Sequence, residues 1–185
     1  RLTDIFEETD GDIKAMLRAI FNSEHFKSEG VRFRKVKGPA ELVFGTARLT
    51  DRFDIPDMDS STLANQSMYM GQHLLNPPGV EGWHEGEEWV DSGSLIERIN
   101  FAASELGRVD APGVRRMVEL VEQAGDNLRP DEFIEACLDA MGSIDIGAKS
   151  KSVLVDHATQ NDSGSVDRVV EMFQLIVSTP DYQYC

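Results

Sequence analysis

Residues Met70 to Phe101 read MGQHLLNPPGVEGWHEGEEWVDSGSLIERINF. The stretch holds both tryptophans of the chain, a proline pair and five glycines. Helical patterns flank it. On the N-terminal side, Leu63, Met70 and Leu74 recur at i, i+7 and i+11, one face of a helix expected over Ser61 to Leu75. Asn76-Pro77-Pro78-Gly79 is expected to end that helix. Each proline lacks an amide hydrogen and drives the residue before it out of helical dihedrals. Gly79, Gly82 and Gly86 permit tight or left-handed backbone. On the C-terminal side, Ser94 and Glu97 form an S-x-x-E capping box, with Asp91 as a rival cap. Leu95, Ile99, Ala102 and Leu106 then mark the buried face of the next helix. The stretch reads as a rigid Pro/Gly/Trp-rich loop carried between two helices.

Working outward, the remaining sequence is helical almost throughout. Asp10-Gly11-Asp12 opens the first clear helix, whose face is Ile13, Met16, Leu17 and Ile20, widened by Phe21 and Phe26. Gly38-Pro39 opens the next, with Glu41 in its first turn and Ala40, Val43, Phe44 and Ala47 on its face. Beyond the loop, Asp110 and Pro112 start a helix striped by Val114, Met117, Val118 and Val121 and stopped by Gly125. Phe133, Ile134, Cys137, Leu138 and Met141 mark another, ended by Gly142. A weaker helix spans about Ala148 to Ala158, and Asn161-Asp162-Ser163-Gly164 reads as a turn. Val166, Val169, Val170, Phe173, Ile176 and Val177 make the last face, before Pro180. Only Val31 to Arg34 alternates in the manner of a strand. The expectation is an all-α, irregular multi-helix bundle of about eight helices with the loop packed across helix ends. A short hairpin near Val31 or within the loop is the most β structure it allows. Residues 1–108 form the helical region that carries the loop, and residues 109–185 a C-terminal helical bundle packed with it as one unit.

Composition narrows the partners. The chain has 185 residues, 41% hydrophobic, enough to bury a core, and a formal charge of −15. Such a charge repels nucleic-acid phosphates and anionic lipid. No apolar run approaches the roughly 18 residues that cross a membrane. The chain begins at Arg1 and reads as a piece of a longer protein. Arg32, Arg34, Lys35 and Lys37 form one basic island. It either contacts an anionic partner or neutralises nearby carboxylates, and the second reading is preferred. Asp51, Asp54, Asp57 and Asp59 offer oxygen ligands for calcium, but lack the spacing of a calcium loop and read as a solvated segment. Cys137 reads as a small core residue, and Cys185 is terminal.

Catalytic patterns are missing. The chain has no G-x-S-x-G elbow, no H-E-x-x-H, no C-x-x-C and no phosphate-binding glycine motif. Its four histidines, His25, His73, His84 and His157, are scattered. No catalytic residue, metal site or cofactor is assigned on this basis.

The residues Met70-Gly71-Gln72, Leu75-Asn76-Pro77-Pro78, Gly82-Trp83, Gly86, Trp89 and Asn100-Phe101 follow the order G-Q-x-L-x-N-P-P-x-V-x-G-W-x-x-G-x-x-W, then N-F-A. This order resembles the signature of the bacterial family known as domain of unknown function 1800. Lys35-Val-Lys-Gly-Pro-Ala-Glu-Leu-Val and Ser178-Thr-Pro-Asp-Tyr-Gln are similar to that family's other marks. The resemblance implies the C-terminal portion of a larger protein and no assigned reaction. It further implies an exported or envelope-associated protein and a protein partner, with a sulfatase-like family encoded nearby.

Within Trp83-His84-Glu85-Gly86-Glu87-Glu88-Trp89, three readings compete. His84 with a glutamate offers metal or acid–base chemistry. The tryptophans offer a stacking platform for a sugar or an aromatic group. Alternatively, both tryptophans are buried plugs that pin the loop to the helices, with their indole hydrogens on backbone acceptors. The family pattern covers Gly82, Trp83, Gly86 and Trp89 but not the charged residues, which favours the third. The residues expected to bind or to hold the loop are Asn76, Pro77, Pro78, Gly82, Trp83, His84, Gly86 and Trp89. The leading functional expectation is a non-catalytic binding or assembly module. The alternative is a hydrolase or metal-dependent enzyme whose site is completed by sequence N-terminal to Arg1.

Overall fold

The computed structural model describes residues 1–52, 60–125, 127–160 and 166–185. Among them it is all-α, with nine α-helices, two short 3-10 turns and no sheet. The only β pairings among the described residues are two isolated antiparallel bridges, Val36–Tyr184 and Gly79–Gly82. The alternating patch Val31 to Arg34 forms turns. The expected turn at Asn161 to Gly164, and Asp54, Asp57 and Asp59 of the acidic segment, lie outside the described residues.

The chain divides into two compact units, Arg1–Arg34 with Cys185, and Lys35–Tyr184. The first carries α1 (Leu2–Glu8) and α2 (Ile13–Phe21). Asp12 caps α2 as expected, its carboxylate accepting from the Lys14 and Ala15 amides at 2.8 and 3.4 Å. Sequence reading did not anticipate α1, although Leu2, Ile5 and Phe6 stand at i, i+3 and i+4. Neither helix buries a residue fully, and Phe21 meets Phe26 edge-on at 5.1 Å.

The second unit holds α3 (Pro39–Leu49), α4 (Ser60–Tyr69), α5 (Ser92–Leu106), α6 (Pro112–Ala124), α7 (Pro130–Ala140), α8 (Ala148–Gln160) and α9 (Val166–Val177). Helix α9 lies along α5, α6 packs on α7, and α3 touches both α4 and α5. One core runs through them, from Leu42 and Val43 through Leu106, Val114 and Ile134 to Phe173 and Ile176. Cys137 belongs to it, and burial pushes its thiol up to about 12, so it stays protonated and unreactive at neutral pH.

Proline starts α3, α6 and α7 at a position where its missing N–H costs nothing. The start of α6 also meets the end of α3 closely. The Gly113 amide donates to the Thr50 carbonyl at 3.1 Å. A Cβ on Gly113 would come 2.4 Å from the Leu49 carbonyl oxygen. Gly113→Ala should therefore force this junction apart and cost about 1–3 kcal/mol, the range for overpacking. A thermal melt of the variant is the measurement, and an unchanged midpoint would mean the junction yields freely.

Three boundaries differ from the sequence expectation. Helix α6 starts from Ala111, with no side-chain cap, and not from Asp110. Helix α4 ends at Tyr69, not Leu75. Gly71 adopts φ +97°, and the Gln72 amide reaches back to the Ser67 carbonyl at 2.8 Å. That six-to-one bond closes a Schellman motif, so glycine stops the helix before the prolines are reached. Helix α5 starts from Asp91, not from the Ser94/Glu97 box. The Asp91 carboxylate accepts from the Gly93 and Ser94 amides at 2.8 and 2.9 Å, and those bonds hold it below the usual carboxylate range. The Ser94 hydroxyl donates instead to the Trp89 carbonyl at 2.9 Å.

The buried stripe of α5 is also turned from its expected setting. It contains Ser94, Arg98, Phe101, Ala102, Glu105 and Leu106, while Leu95 and Ile99 are only half-buried. Glu105 is tolerated inside because the Arg52 guanidinium pairs with it, with Arg108 3.8 Å away. Burial nevertheless raises its pKa against the pull of both arginines.

Candidate binding cleft

Three segments come together around the loop. The first is Lys35, Val36 and Gly38 leading into Ala40 and Glu41 of α3, the second Gln72 after α4, and the third Glu81 to Gly86 with Trp89 before α5. They enclose a cleft of ≈ 770 Å³. Hydrogen bonds tie its walls. The Gln72 side-chain oxygen accepts from the Ala40 amide at 2.8 Å, satisfying one of the open donors at the start of α3. The Glu41 carboxylate accepts from the Gly38 amide at 2.7 Å and from Lys35.

Trp89 is the plug of the loop. It is 7% exposed and sits in the 3-10 turn Gly86–Val90. Its ring lies against Gly71, where a Cβ would make ordinary contact at 3.6 Å; what calls for glycine there is the φ of +97°. Trp83 departs from expectation. It is half-buried, and its indole N–H donates to the His73 carbonyl at 3.2 Å. The Asn76 side-chain amide and His73 Nδ1 lie 3.0 Å apart, which steadies that same turn. Trp83 is therefore fixed in orientation while part of its ring faces solvent.

His84 also lines the cleft, and its Nδ1 meets the Glu88 carboxylate at 2.6 Å on the exposed surface. Gly82 and Gly86 both have positive φ, +97° and +64°, where a side chain would be strained. Pro77 and Pro78 stand in the exposed tip of the loop, with Leu75 at 97% and Val80 at 106% exposure. The tip is thus exposed, and the loop packs on the helices through Trp89. The shape of the tip is held by the Gly82 amide donating to the Gly79 carbonyl at 3.2 Å.

Behind the cleft floor lies a buried polar knot. Arg98 is 0% exposed. Its Nε donates to Gln183 Oε1 at 2.8 Å and its Nη2 to the Lys37 carbonyl at 2.7 Å. The Lys37 amide in turn donates to the Gln183 carbonyl at 2.8 Å. Lys37 Nζ reaches the Tyr182 carbonyl at 2.7 Å and lies 4.1 Å from the Tyr182 ring centre. Tyr182 and Thr46 hydroxyls meet at 3.0 Å. Arg98 thus staples α5 to the Lys35–Gly38 wall and to the C-terminal 3-10 turn Pro180–Gln183. Burial lowers its pKa, and no carboxylate offsets that among the described residues.

Sequence reasoning named Asn76, Pro77, Pro78, Gly82, Trp83, His84, Gly86 and Trp89; of these, Gly82, Trp83, His84, Gly86 and Trp89 line the cleft, and Asn76, Pro77 and Pro78 do not. That reasoning missed Gln72, Glu41, Arg98 and Gln183 as parts of the site. The available signal was that Gln72 sits in the loop motif and that Glu41 and Gln183 sit within the motif-like runs Lys35–Val43 and Ser178–Gln183; Arg98 carried none. Residues of the basic island have partners within their own units. Lys35 pairs with Glu41, Lys37 turns onto Tyr182, and Arg32 Nη1 lies 3.9 Å from Glu29. Among the described residues, no three of His, Cys, Asp and Glu gather as metal ligands, and no helix is long and apolar enough to cross a membrane.

Glu41 supplies a pH test. The Lys35 contact, helped by the Gly38 amide, holds its carboxyl below its ordinary value of 4.5. A carboxylate with a depressed folded pKa contributes stability that is present above the unfolded pKa and lost as pH falls through the folded value. Glu41→Gln should lower the melting temperature at neutral pH, and the gap from the parent should close in acid. Melts across a pH series measure this. A gap that persists below the carboxylate range would assign the loss to packing.

The model of the family described as "Protein of unknown function (DUF1800)" matches residues 1–184. The chain belongs to that family. No curated protein and no solved structure matches it.

Proposed function

We propose that this chain is a non-catalytic binding module whose ligand enters the cleft between Trp83 and Trp89. One observation carries the reading: the chain's only two tryptophans wall a cleft of ≈ 770 Å³, one as a buried plug and one held with its ring partly open. Pockets of roughly 300–1,000 Å³ suit ligands or partner segments. A half-open, oriented indole is a common anchor for them. The histidine in the cleft is paired with a carboxylate and not with a hydroxyl or thiol that it could activate. A protein partner fits this reading. The sulfatase-like proteins that the family resemblance associates with such chains are the first to assay.

The test uses the tryptophans themselves. Their emission should shift on titration with the right partner, and Trp83→Ala should abolish binding while the fold persists by circular dichroism. A second reading, an enzyme completed by sequence beyond this chain, draws on the His84–Glu88 pair beside Glu85. Turnover in a panel of ester, phosphate, sulfate and glycoside substrates, with and without divalent metal, and lost in His84→Ala, would replace the first reading by the second.

A further inference from the structure

Resting on that reading of the cleft as a binding site, we infer that it selects a cationic side chain, a lysine or arginine presented by a partner polypeptide. Three observations carry this. The first is charge. The lining contains one lysine against three glutamates, and Lys35 is committed to Glu41. Glu81 and Glu85 are exposed at the cleft and pair with no cation among the described residues. The second is the indole. The indole N–H of Trp83, a lining residue of the cleft, is taken by the His73 carbonyl, so a ligand meets this ring as an electron-rich π system and not as a donor. Such a system attracts an ammonium or guanidinium group, and nearby carboxylates strengthen the attraction. The third is the tip. Leu75 and Val80 are fully exposed on a turn whose two flanks, Gln72 and Glu81–Gly82, both line the cleft. A small free cation would leave those apolar groups in water. A polypeptide whose basic side chain enters the cleft can cover them with its neighbouring residues.

The long-range field of a chain with charge −15 attracts any cation, so the experiment must separate local from global charge. Tryptophan emission is followed on titration with a lysine-rich hexapeptide carrying leucines, its glutamate counterpart, a neutral glycine–serine peptide, spermidine and a cello-oligosaccharide. The lysine peptide should shift the emission, and raising salt should weaken it. Glu81→Gln with Glu85→Gln should weaken it about tenfold. Glu119→Gln with Glu122→Gln, an equal charge change on the exposed face of α6, should change it less than about twofold. Equal loss in both double variants would overturn the inference in favour of non-specific attraction. Spermidine binding as tightly as the peptide would overturn the polypeptide occupant. Preference for the oligosaccharide or the neutral peptide would overturn the cation and leave the cleft as a binding site. No response to any probe, joined to no effect of Trp83→Ala on capture of a partner by the whole chain, would overturn both.

Discussion

Replacing Arg98 by alanine should lower the unfolding free energy by about 3–5 kcal/mol, measured by urea denaturation. Two losses combine. The Gln183 side-chain oxygen and the Lys37 carbonyl each lose a buried charged donor, at 2.8 and 2.7 Å. Leaving a buried acceptor unmade costs about 1–3 kcal/mol. Truncating the largest fully buried side chain among the described residues also leaves a void that its neighbours fill only in part. Arg98→Lys should rescue little, because a compact ammonium cannot reproduce the two-sided guanidinium fork. Arg98→Met should fall between, since it keeps the stem volume and removes the cost of burying a charge. If alanine and methionine proved equally mild, the knot would be packing alone. The position of the damage is also expected. Arg98 joins α5, the Lys35–Gly38 wall and the C-terminal turn, so tryptophan emission should change before the helical signal does.

Trp89→Ala should cost a similar amount, about 3–5 kcal/mol, as for other emptied aromatic sites. Trp83→Ala should cost only about 1 kcal/mol, because its ring is already half in water and it gives up one exposed hydrogen bond. The pair of variants separates two roles that sequence pattern treats alike. The Trp89 ring is buried with Gly71 against it, so its loss empties the loop at the helix junction, while its backbone carbonyl, which takes the Ser94 hydroxyl, is kept. Trp83 hangs on a turn held by Asn76 and His73, and its loss removes a cleft wall while leaving the core intact. Equal destabilisation by the two substitutions would restore the reading in which both are plugs.

The all-α class and most helix starts were legible because they are local. Asp12 before Ile13, Pro39 after Gly38 and Pro112 each act within one turn of the backbone, and the periodic valines of α6 and α9 report their own faces. Membership of the loop was legible for the same reason, since its glycines, prolines and tryptophans follow one another along the chain. What the sequence could not decide was which of two neighbouring options the rest of the molecule would favour. Asp91 outcompetes Ser94 as a cap because the Trp89 carbonyl claims the serine hydroxyl. Gly71 ends α4 ahead of the prolines because its φ of +97° lets the Gln72 amide close on the Ser67 carbonyl, and the Gln72 side chain is then held by the Ala40 amide from thirty-two residues earlier. The face of α5 turns to bury Arg98 and Glu105 because their partners, Gln183, Lys37 and Arg52, arrive from distant parts of the chain. A polar residue in a helical stripe reads as surface until its partner is known. Burial of a charge is a property of the pair, and only the tertiary structure makes the pair.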